Sequence, residues 1–162
     1  MKKSYSYFFL VLFFLAGKTS HSQQPFLTIY YAEAEKSKDS HSTIETISCT
    51  GTTVVYTVKY SGRRSPDQKD AQKECLLSNE QMGSIRKIIS DKKLDTTDSL
   101  IVNTLPDKTY LETTTITISF TNGKKISKTK VKGSTSALSR ELLYKNSIYL
   151  LNRIREMLKN CH

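Results

Sequence analysis

Tryptophan is absent from the chain, histidine, proline and cysteine occur three times each in 162 residues, and glycine occurs six times. Each shortage closes off chemistry. His21 lies in the leading segment, His41 in a polar stretch and His162 at the last position. A Ser-His-Asp or Cys-His centre needs a base held rigidly beside its nucleophile, and these three positions are poor places to hold one. The scattered glycines form neither a phosphate loop nor a dinucleotide fingerprint, and Gly-x-Ser-x-Gly and His-Glu-x-x-His do not occur. No Cys-x-x-Cys pair exists for redox work. Cys161-His162 has no partner pair for a metal, and Asp67, Asp70 and Glu74 lack the glycine and spacing of a calcium loop. These gaps favour a non-enzymatic protein without metal or cofactor.

Long apolar runs are missing with one exception. Lys2 and Lys3 precede residues 8–16, FFLVLFFLA, and Ser20-His21-Ser22 follows. That is the order of a secretory signal peptide, with cleavage expected before Gln23. The run is about half of the ~20 residues that a membrane helix needs, and no second one follows. The first cysteine is Cys49, so a lipid-anchored cysteine at the cleavage site is not expected. The reading is an exported protein, periplasmic or secreted, with residues 1–22 removed and residues 23–162 folding as one small domain. Loss of Lys2, Lys3 and Lys18 lowers the formal charge from +10 to +7. A basic surface favours solubility and anionic partners; without a binding motif it is no sign of nucleic acid.

Three cysteines in an oxidising compartment leave one over. Cys49 ends an expected strand and Cys75 stands just before an expected helix, which favours a Cys49–Cys75 bridge of roughly 3–4 kcal/mol in the chain-entropy model. Cys161 is then free or intermolecular, and the other pairings stay open.

What is present is period. Residues 26–32, FLTIYYA, read as a strand, and residues 33–42 as a charged loop. Residues 44–49 and 53–60 form a hairpin around Thr50-Gly51, with Val54, Tyr56, Val58 and Tyr60 on one face. Within residues 77–94, Ser78 and Gln81 make a capping box, Leu77 and Met82 a hydrophobic staple, and Met82, Ile85, Ile88 and Ile89 an apolar stripe. A connection follows, with a short strand at residues 100–102. Residues 113–132 are the strongest hairpin. Pairing Ile118 with Ile126 calls for a three-residue turn, Thr121-Asn122-Gly123, with Gly123 at positive φ. The C-terminal stretch reads as a short helix, an interruption at Asn146-Ser147, and a longer helix over residues 147–159. The expected fold is a two-layer α+β domain, with an antiparallel sheet of about four to six strands and two helices on one face.

Two patterns bear on binding. Lys124, Lys125, Lys128, Lys130 and Lys132 would form a basic stripe if several point one way; protection of an edge strand is the simpler account. Tyr56, Lys59, Tyr60, Arg63 and Arg64 interleave rings with cations, although the two tyrosines share the parity of core valines. Glu33 and Glu35, with Asp39 nearby, are the carboxylates from which a small envelope hydrolase could be built. The expected function is an exported binding or interaction protein, of inhibitor or immunity type, whose partner is another protein or an anionic envelope component.

Overall fold

The computed structural model describes residues 24–36, 41–62, 68–102 and 111–161. The expected signal segment, Asp39, Arg63, Arg64, Asp67 and His162 lie outside the described residues. The chain is α+β. Its strands are β1 (Leu27–Lys36), β2 (His41–Thr50), β3 (Thr53–Gly62), β4 (Ala71–Leu76), β5 (Asp98–Ile101), β6 (Leu111–Asn122) and β7 (Lys125–Ser134). Its helices are α1 (Asn79–Asp91), α2 (Thr135–Leu138) and α3 (Leu142–Lys159). All seven strands join one sheet in the order β4-β3-β2-β1-β6-β7-β5. Every pairing is antiparallel except β5 with β7.

Strand alternation sends Leu27, Ile29, Ile47, Cys49, Val54, Ile116, Ile118 and Val131 to one face, where all are buried. There they meet Ile85 and Ile89 of α1, Leu138 of α2, and Leu150, Leu151 and Ile154 of α3 in a continuous core. The opposite face is covered by no described element.

α1 starts as its sequence dictates. Ser78 Oγ accepts from the Gln81 N–H, and Gln81 Oε1 accepts from the Ser78 N–H. Its end is less legible. Lys93 takes φ 54°, with Leu94 N–H donating to Ile89 O and Lys93 N–H to Ser90 O. This pair of hydrogen bonds closes a helix, usually around glycine. Here buried Leu94 holds the motif in place with a lysine at the left-handed position.

The structure corrects several expectations. The sheet has seven strands, because β4 and the longer ends of β1 and β2 are polar and show little alternation of hydrophobicity. Glu33 and Glu35 sit in β1 and not in a loop, paired with Thr43 and His41 of β2. The β6–β7 turn contains two residues, Gly123 and Lys124, with Asn122 opposite Lys125. Gly123 has φ +60° at the first turn position, the demand of a type II′ turn. Phe120 therefore faces Ser127 and Ile116 faces Val131, while Ile126 falls on the open face, 64% exposed. Filling the core with Val131, Thr129 and Ser127 outweighs burying Ile126. α3 runs unbroken through Asn146-Ser147: Ser147 Oγ donates to Leu143 O and Asn146 Nδ2 to Lys92 O, so both polar groups are satisfied inside the helix packing.

The disulfide is Cys75–Cys161, not Cys49–Cys75. Cys49 faces Val54, and Val54 faces Cys75. Cys49 and Cys75 are thus two strands apart, about 10 Å at the usual strand spacing, beyond the reach of a bridge. The Cα atoms of Cys75 and Cys161 are 5.9 Å apart. Cys49 is a buried free thiol.

Candidate functional site on the open sheet face

On the open face the residues line up in rows across the sheet. Thr57, Thr46, Tyr30, Thr117, Lys130 and Ser99 form one such row. Lys59, Ile44, Ala32, Thr115, Lys132 and Ile101 form the next. Threonine and serine suit this place because a β-branched or hydroxylated side chain packs on the pleat and tolerates water.

Lys128, Lys130 and Lys132 alternate with the buried residues of β7, so all three project from this face, and all are exposed. Ile126 shares their side, Lys124 sits in the turn, and Lys125 lies on the helix side at the sheet's end. Edge protection does not explain Lys130 and Lys132, since β5 pairs with Thr129–Lys132 of β7; Lys128 stands one position before that pairing. Among the described residues no ion pair engages any of the five lysines. Within the described strands, Glu74 on the far edge strand β4 is the one acid that alternation places on this face. A shallow pocket of about 430 Å³ opens at the end of the lysine row, lined by Ile101, Val102, Lys130, Lys132 and Gly133 among others.

Tyr56 and Tyr60 do not join this surface. Tyr56 points to the helix side, where its hydroxyl donates to Glu45 Oε2 at 3.0 Å. Burial, with the Glu45 carboxylate beside it, pushes that phenol up to about 12. Glu45 also receives Arg155 through Nε at 2.9 Å and a second nitrogen at 2.6 Å. This two-pronged pair pins α3 to β2 and stays within the helix layer. No periodicity or motif links Glu45 to Arg155, 110 residues apart in the chain.

The carboxylates gather at the other end of the helix-side face. Glu35 contacts His41 Nδ1 at 3.3 Å. Glu112, across β6, is hydrogen-bonded to Glu33, and that bond is the main cause of its raised pKa, ahead of burial and the charges of Glu33 and Glu35. Three or more metal-ligating side chains do not group together among the described residues.

The disulfide belongs with the oxidising compartments in which such bonds persist. No described helix is long and apolar enough to cross a membrane. Comparison with family models and with curated proteins finds no match to this chain.

Proposed function

We propose that this is an exported, non-catalytic binding protein that uses the open face of its sheet to hold the acidic surface of a partner protein, as an inhibitor or immunity-type protein would. The row of Lys128, Lys130 and Lys132 carries the reading, being exposed, without an ion pair among the described residues, and on a face whose one acid within the described strands lies on the opposite edge strand. Seven strands at about 4.8 Å spacing, five of them ten to twelve residues long and the two edge strands shorter, give a face roughly 30 Å across. Its ~900 Å² matches one partner's share of a standard protein interface. Exposed Tyr30, Ile101 and Ile126 supply apolar anchors among the hydroxyls, and the lysines supply steering and register.

The test places a photo-crosslinker at Thr117, on this face, or at Lys87, on exposed helix α1, and compares both with a Lys128→Glu/Lys130→Glu/Lys132→Glu variant. An acidic partner should crosslink stoichiometrically through position 117, and its capture should fall with salt and vanish in the triple variant. Crosslinking through position 87 alone, or capture unchanged by charge reversal, overturns the proposal. Binding of anionic vesicles alone would replace the protein partner with a membrane surface.

A further inference from the structure

On the other side of the sheet, between its β3–β4 edge and the last turns of α3, a pocket of about 250 Å³ is lined by Tyr56, Lys73, Arg155, Leu158 and Lys159. Its walls are mostly carbon, from the Tyr56 ring, Leu158 and the stems of the long cations. Its charged groups are all donors. Lys73 Nζ gives two bonds, to Leu158 O at 3.0 Å and Cys161 O at 2.6 Å, of the three it can make. Arg155 gives two to Glu45 and one to Asn152 Oδ1, leaving two of its five N–H groups. Lys159 is exposed and makes no ion pair among the described residues. The Tyr56 proton already points to Glu45. The pocket therefore offers an apolar interior and unused positively charged donors at its rim.

We infer that this pocket binds a small amphiphilic carboxylate, with its hydrocarbon body against Tyr56 and Leu158 and its head group on Lys159 and the free N–H groups of Arg155. A cation would meet Lys73, Lys159 and Arg155, while the nearby Glu45 carboxylate is already engaged by Arg155 and Tyr56. A fully polar anion would leave the carbon walls unused. At the ~30 Å³ that a water-sized group occupies in the liquid, the volume takes roughly eight such groups, the size of a medium-chain carboxylate. Lys73 and the Cys75–Cys161 bond hold the floor by tying the end of α3 to β4.

The probe is octanoate, titrated into the isotope-labelled, disulfide-intact chain and followed by amide shifts. Octanol and octylammonium serve as uncharged and cationic controls. Saturable shifts should centre on Tyr56, Leu158 and Lys159, and the two controls should bind at least about tenfold more weakly, the value of one charge-assisted contact. Lys159→Glu, at an exposed position, should weaken octanoate about tenfold or more while the remaining spectrum stays native. Lys130→Glu, on the opposite face, should leave octanoate binding unchanged. Absence of saturable shifts, equal binding of octanol, or indifference to Lys159→Glu overturns the inference.

Discussion

Cys49 shows how position settles a residue's chemistry. A thiol reacts as the thiolate, and burial pushes the Cys49 thiol up to about 12, despite the opposing pull of Arg86. The Arg86 guanidinium lies 4.0 Å above the Phe26 ring and remains exposed, so it does little to desolvate or stabilise a sulfur anion in the core. Cys49 should therefore behave as a small apolar side chain. Intact protein treated with a maleimide at mildly alkaline pH should take up no label, and after denaturation without reductant it should take up one, mapped by peptide mass to Cys49. Labelling of the native protein at Cys49, or of Cys75 or Cys161 after denaturation, would contradict both the burial and the pairing.

At the scale of elements, two glycines separate backbone cost from space. Gly83 lies in the exposed middle of α1, where an added Cβ meets nothing within 4 Å. Gly83→Ala should raise the free energy of unfolding by about 0.5–1 kcal/mol through helix propensity and lost unfolded-state freedom. Gly133 lies where β7 passes under α2, and a Cβ there would stand 2.9 Å from Val102 O, 3.0 Å from Val102 Cβ and 3.3 Å from Leu138 Cδ2. Because the nearest atom is backbone, relief requires the segment after β5 to move, and Gly133→Ala should cost about 1–3 kcal/mol. Urea unfolding of the two variants checks the opposite signs; a shared sign would mean that α1 or the β5–β7 junction is packed differently.

The same elements show what could be read in advance. The start of α1 was legible because Ser78 and Gln81 act within one turn. The alternation of β3 and of the first strand of the main hairpin was legible because one face is apolar. β4 was not, since AQKECL sends only Cys75 fully into the core and is held by its ladder with β3. The hairpin turn is not legible, because Ile126 outranks Ser127 and Thr129 in hydrophobicity and points to the wrong register. The register is set instead by Val131, and Thr129 is accommodated by donating to Thr96 O at 2.9 Å. Of the candidate site, the lysines were legible as a row, but their freedom from an edge role depended on β5, a short strand pairing in parallel from 31 residues upstream.

For the whole molecule, the layering divides the work. Helices and core occupy one face, the lysine row the other, and the Cys75–Cys161 bond joins edge strand β4 to the end of α3 across 86 residues of sequence. Closing so long a loop restricts the unfolded chain by about 4.5 kcal/mol in the chain-entropy model. The native helix depends on it less, because Leu150, Leu151 and Ile154 are fully buried earlier in α3. Cys161→Ser should thus keep the fold while lowering unfolding free energy by about 4 kcal/mol, seen as a lower denaturant midpoint with an m-value raised by the more expanded unfolded state. Only the last turn of α3, where Lys73 alone would retain the carbonyls of Leu158 and residue 161, should lose hydrogen-exchange protection in the native state. The variant cannot substitute a Cys49–Cys75 bond, because two strand spacings separate those residues. A loss below about 1 kcal/mol, or protection lost throughout α3, would show that the bond is not the tie between the two layers that its position describes.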